Sequence, residues 1–287
     1  MQDWRVNIVE KYKKFCERNI IPFQIDDKVT PYDDTTLFCP AGMQQFKSLF
    51  KDDNHKGTIA NVQSCIRMND FEEIGDSTHL LYFNMIGLFS FRELSIGEAI
   101  NFWMKFIQQE LNLQVQYITI HPDKKEWEWF YKMWNIPDIR FTDECKWTDG
   151  EIGGYCTEFF INDVEIGNIV NPMDTCIDVG FGLERLEMFV NGKTITKEQT
   201  LKETILKIIA SGYKPSNLKQ GYVLRKLLRE LWRIGGTIEH AYFNDEIERQ
   251  NKILSKYNRL KDKHSDKPKE WWYDTHGIKL DELSEFQ

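Results

Sequence analysis

The chain has 287 residues, with 45 acidic against 37 basic side chains, a formal net charge of -8 and a pI near 5.4. That length suffices for one large domain or two modest ones with full hydrophobic cores, so disulfide staples are not required. The acidic balance excludes a surface that is a nucleic-acid footprint throughout and leaves room only for a local basic patch.

In chain order, residues 4 to 20 carry apolar positions at helical spacing, and Pro22 ends that helix. Pro31 and Pro40 bracket a short apolar run, after which a helix opens near Gly42. Residues 57 to 92 predict two strands joined by the polar stretch MNDFEEIGDST, because TIANVQSCIR and LLYFNMIGLFSF are rich in β-formers. Gly97 to Leu113 reads as a helix, and QVQYITIHP alternates like a strand that stops at Pro122. CTEFFINDVEIGNIVN reads as a hairpin with Thr157, Phe159 and Ile161 on one face and Asn162-Asp163 at the turn.

CIDVGFGLERLEMF follows, and the spacing predicts a strand, a turn containing Gly180 and Gly182, and then a helix. Beyond about residue 192 the pattern is helical alone, apart from a lysine-rich loop at residues 261 to 270. The expected class is α+β: an antiparallel sheet flanked by helices, followed by a smaller all-helical domain. The expected domains are residues 1–192 and 193–287, with the boundary in NGKTITKEQ.

The six cysteines, Cys16, Cys39, Cys65, Cys145, Cys156 and Cys176, form no CxxC pair and none of the short Cys/His spacings of zinc sites. They read as reduced core thiols of a cytoplasmic protein, with no metal ligands expected among them. No apolar run approaches the roughly 20 residues of a membrane span, and MQDWRVNIVEKYKKF reads as an amphipathic helix rather than a signal peptide.

The stretch DVGFGLER carries the densest chemistry. Two glycines let backbone approach a ligand, a helix N-terminus favours an anion, and an arginine can stack on a purine. A tight turn packing a helix on a sheet explains the same residues. The ordered set AGMQQFK, CIR, NDFEEIG, YFNMIGLFSF, CTEFFI, IDVGFGLER, SGYKPSNLKQGYVLRKLLRE and YDTHG, however, resembles the alanyl-tRNA synthetases, which are class II enzymes. The resemblance runs from about Pro31 to Gly277, across both expected domains.

The resemblance implies ATP contacts at Arg67, Asp70, His79, Phe83, Glu158, Gly182 and Arg185, and amino-acid contacts at Met43, Arg67, Trp147, Asp178 and Gly180. Arg67 would hold the α-phosphate and the amino-acid carboxylate as the catalytic cation, where a bidentate guanidinium relieves the charge gathered between two anions. Phe83 and Arg185 would sandwich the adenine, and Asp178 would grip the α-ammonium. Glu158 or Glu184 would hold Mg²⁺ bridging the ATP phosphates. Read without the resemblance, Phe83 is more often a core residue, core packing is the alternative for Trp147, and a surface ion pair is the alternative for Arg67.

On GYVLRKLLRELWRIGG the residues themselves predict an apolar arc of Val223, Leu224, Leu227, Leu228, Leu231 and Ile234. Arg225, Lys226, Arg229 and Arg233 gather on the opposite arc, which fits either an RNA acceptor stem or a solvated helix face.

The chain departs from the family pattern in several places. Its motif 2 loop, RMNDFEEIG, is short; the usual histidine-rich run is reduced to His79; Gly167-Asn168 stand in place of an aromatic run; and the helical segment before YDTHG is compressed. No HxxxH editing motif occurs among its histidines, so proofreading is not expected. Two functions remain open: ATP-dependent activation of a small amino acid followed by transfer to tRNA, or transfer of the activated acyl group to a carrier protein, peptide or small amine. A monomer or a homodimer through the segment near Pro31 is expected.

Overall fold

The computed structural model describes residues 6–76 and 78–280. The start of the helix expected from residue 4 therefore lies outside the described residues. The contacts divide the chain into two compact units, Met1–Thr196 and Lys197–Gln287.

The first unit opens with α1, Ile8–Arg18. Asn7 caps it by accepting from the Glu10 amide, and Ile8, Tyr12, Phe15 and Cys16 place one buried stripe at helical spacing. Pro22 follows, and β1 (Phe23–Asp26) leads on to the short helix α2 (Lys47–Lys51), entered through a 3₁₀ turn at Gly42–Phe46. β2 (Gly57–Ile66) and β3 (Tyr82–Phe91) pair antiparallel over their whole length, from Gly57 opposite Phe91 to Ile66 opposite Tyr82.

Ser95 starts α3 (Ile96–Met104) through a capping box with Glu98. The helix loosens into a π-helical stretch at Lys105–Glu110 before β4, Tyr117–Ile120. After the single turn α4 (Glu128–Lys132) come β5 (Asp138–Phe141) and β6 (Lys146–Thr148). β7 (Gly153–Ile161) and β8 (Val164–Pro172) form the expected hairpin. Its two-residue turn has Asn162 and Asp163 both at positive φ, as a type I′ turn requires.

β9, Cys176–Gly182, passes directly into α5, Leu183–Asn191. The expected turn at Gly180 and Gly182 is not there. Gly180 is a strand residue and Gly182 is the helix cap, both with negative or extended φ rather than turn geometry.

The sheet order is β1-β2-β3-β9-β8-β7-β4-β5, with β6 added on β7. Antiparallel pairing holds through the middle, while β1 on β2 and β5 on β4 are parallel. Strands β5 and β6 have four and three residues, too short to show alternation in the sequence.

One face of the sheet supplies Ala60, Val62, Ile86, Leu88, Phe159, Ile177, Val179 and Phe181 to the main core beneath α1, α3 and α5. Trp103 of α3 stacks on Phe181, ring centroids 4.3 Å apart and planes 10° from parallel. Tyr12 of α1 reaches through the same core to donate to the Gly87 carbonyl at 2.9 Å. The opposite face of the sheet carries the site.

The second unit contains α6 (Lys197–Ala210), α7 (Lys219–Arg233), α8 (Ala241–Leu260) and α9 (Lys269–His276). No helix among the described residues is long and apolar enough to cross a membrane.

Replacing fully buried Trp103 by alanine removes both the stack and its volume. The expected cost is about 3–5 kcal/mol, read as a lower urea midpoint with an unchanged m-value.

Candidate active site

Strand register decides which side chains share the open face. Across β3, β9, β8 and β7, Phe89 lies opposite Asp178, Asp178 opposite Val170, and Val170 opposite Cys156. The next row on that face is Gly87, Gly180, Asn168 and Glu158. Two glycines in one row lower the floor there. A Cβ on Gly180 would sit 2.8 Å from the Met85 sulfur, so the Met85 side chain lies over that bare backbone.

Above this floor is a cleft with about 870 Å³ of empty space, part of it open to solvent. Nine of the contacts expected from the sequence line it: Arg67, Asp70, Phe83, Trp147, Asp178, Gly180, Gly182, Glu184 and Arg185. They come from the segment after β2, from β3, β6 and β9, and from α5, so the fold brings together segments more than 100 residues apart.

Asp178 is 8% exposed, and no described side chain hydrogen-bonds or ion-pairs with its carboxyl group. Burial, and after it the negative charge of Asp149, pushes its pKa up to about 7. Asp149 itself is held by Lys47 at 2.9 Å. Glu184, in the first turn of α5, accepts from the Asn84 backbone amide at 3.0 Å and from the Asn84 side chain at 2.9 Å. Burial raises its pKa to about 7 against the lowering effect of those bonds.

The Arg67 guanidinium lies over the Phe83 ring, 5.1 Å from the centroid, and its Nε donates to the Pro40 carbonyl at 2.9 Å. Arg185 donates through Nη1 to the Glu165 carbonyl at 2.6 Å and through Nε to the Thr78 carbonyl at 3.4 Å. In-plane donors are thereby partly spent, while the flat faces of the guanidinium remain for stacking.

Three of the residues from the sequence stand outside the lining. Met43 is buried with Phe46, Phe50, Phe89 and Phe91 under the short helices after Ala41. His79 turns to its own loop, with Nδ1 2.5 Å from Asp76 and Nε2 3.2 Å from Glu73. Glu158 accepts from the Thr119 hydroxyl at 2.9 Å, at the β4 end of its row.

The cleft also contains residues not picked out as contacts: Met85 and Glu165, with Asn168. Met85 was legible in principle, since it shares the face of Phe83 two positions along β3.

In the helical unit the four basic residues of α7 do not form one outward stripe. Arg229 is 6% exposed, and its Nη1 lies 3.4 Å from Glu246 of α8. Arg225 also pairs with Glu246, at 2.9 Å, and its side chain is 12% exposed. Arg233 is held by Glu230 of its own helix at 2.7 Å, and Lys226 is half-buried. Helical periodicity separates two arcs but does not say what covers the second; here α8 covers part of it with Glu246.

Arg225 and Arg229 also line a polar pocket with Asn217, Arg249, Asp274 and Lys279. Asn217 and Asp274 lie in the PSNLKQ and YDTHG segments. Arg249 and Lys279 carried no motif that would have marked them.

A helix-backed, mainly antiparallel sheet whose open face carries this cleft defines a class II synthetase-like domain. The family model for class II (A) tRNA synthetases matches residues 8–193, and the chain belongs to that family. Among curated proteins it is similar to the alanine–tRNA ligase of Tropheryma whipplei strain Twist, 29% identical over 267 residues that cover 69% of this chain and 30% of that protein. The alanine–tRNA ligase of Oleidesulfovibrio alaskensis is 29% identical, covering 80% and 36% respectively. That of Francisella tularensis subsp. novicida is 26% identical, covering 88% and 38%. The chain thus spans about a third of the length of these relatives. A solved structure of pyrrolysyl-tRNA synthetase from Desulfitobacterium hafniense aligns over 69% of this chain and 75% of its own, at 12% identity and a TM-score of 0.43.

The Asp178 and Glu184 shifts fix a pH dependence. Both pKa values are raised from ordinary carboxyl values of 3.8 and 4.5, so the fold favours their protonated forms. That stability is fully present below the ordinary values and is lost as pH rises through about 7. Urea unfolding of the ligand-free protein should show a drop as pH rises from about 4 to about 7, and Asp178→Asn should remove the Asp178 share of it while leaving that of Glu184.

Proposed function

We propose that the cleft activates a small α-amino acid with ATP, forming an aminoacyl-adenylate and releasing pyrophosphate, and that the acyl group then passes to tRNA. The observation that carries this reading is the buried, partnerless Asp178 carboxyl group in the same cleft as Arg67. A desolvated carboxylate is stabilised by a cationic guest, and a guanidinium by an anionic one. An α-amino acid beside a nucleotide phosphate supplies both.

Asp178 would take the ammonium group, with Gly180 beneath the α-carbon and Met85 and Trp147 limiting the side chain to a small one. Arg67 would bridge the amino-acid carboxylate and the α-phosphate. The carboxylate oxygen forms a bond to the α-phosphorus while the bond to the pyrophosphate oxygen breaks, so Arg67 faces the oxygens that gain charge. Phe83 and the Arg185 face would hold the adenine ring. Asp70 and Gly182 line the part of the cleft where the nucleotide would extend.

The donor set also fits Mg²⁺, which prefers carboxylate oxygen. Glu184 is the carboxylate of the cleft wall that would hold it, where the ion would neutralise phosphate charge. Glu158, which hydrogen-bonds Thr119, is the less suitable of the two.

Acceptance of the acyl group by tRNA is supported by the polar pocket of the helical unit. Arg225, Arg249 and Lys279 would meet phosphates there, while the Asn217 amide and the Asp274 carboxylate would meet base or ribose groups. A second reading, transfer to a carrier protein, peptide or small amine, is favoured by the burial of Arg229 against Glu246.

Amino-acid-dependent exchange of pyrophosphate into ATP tests activation. Exchange with one small amino acid is expected, and Arg67→Ala should lower it by about 10²–10³-fold. Exchange with none of the small amino acids by the wild-type protein would overturn the reading.

The acceptor is tested separately with Arg249→Ala combined with Lys279→Ala. This pair should abolish acid-stable aminoacylation of tRNA while leaving pyrophosphate exchange at the wild-type rate. Intact aminoacylation in the double variant would remove the pocket from the proposal, and absence of tRNA charging by the wild type would favour the second reading.

A further inference from the structure

At the β7 side of the sheet, three groups that no sequence motif joined come together. Cys145 stands directly before β6 and Cys156 lies within β7. The antiparallel register, Lys146 opposite Tyr155, places the two cysteines across from each other, and the Cys156 amide donates to the Cys145 carbonyl at 2.9 Å. Glu158 is two residues further along β7 on the same face. The two sulfurs and a Glu158 carboxylate oxygen all lie within 4.8 Å of one another.

Cys145 is 0% and Cys156 2% exposed, and no described Lys, Arg or His ion-pairs with Glu158. Thr119 of β4 joins the group: its hydroxyl accepts from the Cys145 thiol at 3.0 Å and donates to Glu158 at 2.9 Å.

We propose that Cys145, Cys156 and Glu158 bind a zinc ion through their sulfur and carboxylate atoms, and that this ion fastens β6, with Trp147, to the sheet. Two thiolates and one carboxylate make a donor set for a borderline-soft divalent ion rather than for calcium or magnesium. In a tetrahedral site with Zn–S near 2.3 Å and Zn–O near 2.0–2.2 Å, donors stand about 3.5–3.8 Å apart, which small side-chain rotations reach from the present separations. Three protein ligands leave the fourth position to solvent, and the Thr119 hydroxyl orients the Glu158 carboxylate from outside.

The position gives the ion its use. Cys156 ends the cross-strand row that begins at Phe89 and includes Asp178 and Val170, so the site lies two strands from Asp178, roughly 10 Å at the spacing of neighbouring strands. Trp147 packs on Cys145, Cys156 and Val170 and lines the cleft. β6 is three residues long and, among the described residues, pairs only with β7, so its own ladder holds Trp147 weakly. The ion would be a positioning device for that wall, and its binding is independent of whether the cleft activates an amino acid.

The test is made on the full chain, purified under reducing conditions, stripped with a chelator and re-supplied with zinc or cobalt ions before desalting. The expected result is one zinc retained per chain, a higher Tm with zinc, and a sulfur-to-cobalt charge-transfer band with tetrahedral d–d transitions. Cys145→Ser and Cys156→Ser should each weaken zinc binding by more than about 100-fold, beyond the 10–100-fold cost of losing an outer-shell partner. Glu158→Gln should keep the charge-transfer band but change the d–d bands, and Cys39→Ser, a thiol elsewhere in the unit, should bind like wild type.

Near-UV circular dichroism identifies any variant that has not folded, and Glu158→Gln, which keeps side-chain size, then carries the test alone. Wild-type protein that emerges free of zinc, a Cys145–Cys156 disulfide in the reduced preparation, or unchanged binding in Cys145→Ser would each overturn the proposal.

Discussion

The antiparallel register of β9 between β3 and β8 is the constraint on which the rest depends. It sets Asp178 beside Phe89 and Val170, and Gly180 beside Gly87 and Asn168, all on the open face. A slip of one residue would turn Asp178 into the core under α1, α3 and α5, and Val179 into the cleft. The core opposes such a slip because Phe181 is stacked on Trp103 and no other β9 residue has that shape. Apolar packing on one face therefore holds the polar groups of the other in place.

Charge placement in the cleft follows from the same arrangement. The fold holds two carboxyl groups, Asp178 and Glu184, at pKa values near 7, and gives only the second a set of hydrogen-bond donors. Arg67 and Arg185 are positioned differently from one another. Arg67 rests on the Phe83 ring with one nitrogen on a backbone carbonyl, whereas Arg185 is fixed edge-on by two carbonyls. The first arrangement leaves in-plane donors for anions and the second leaves a flat surface for a ring, which is why two arginines in one cleft are not interchangeable.

The helical unit follows a different electrostatic rule. Glu246 is 4% exposed and gathers Arg225, Arg229 and Arg249, so the basic residues are organised around a buried acid. A buried pair of this kind favours a definite geometry more than it favours net stability. The arginines that also line the polar pocket present themselves from a fixed frame.

The sequence by itself determined the α+β class, the β2–β3 pair, the Asn162-Asp163 hairpin, the strand leading into α5, and the residues of DVGFGLER as chemically dense. These are local patterns: alternation, caps and turn residues act within a few positions of one another. Tertiary structure alone decided that Gly180 and Gly182 are strand and cap rather than turn, and that β1 and β5 join in parallel. It also decided that Met85 rather than Met43 lines the cleft, that His79 bonds its own loop, and that Arg225 and Arg229 meet Glu246. It brought Cys145 beside Cys156 and Glu158 as well. Each of these depends on which distant segment becomes a neighbour, and the chain settles that only when register and helix docking are fixed together.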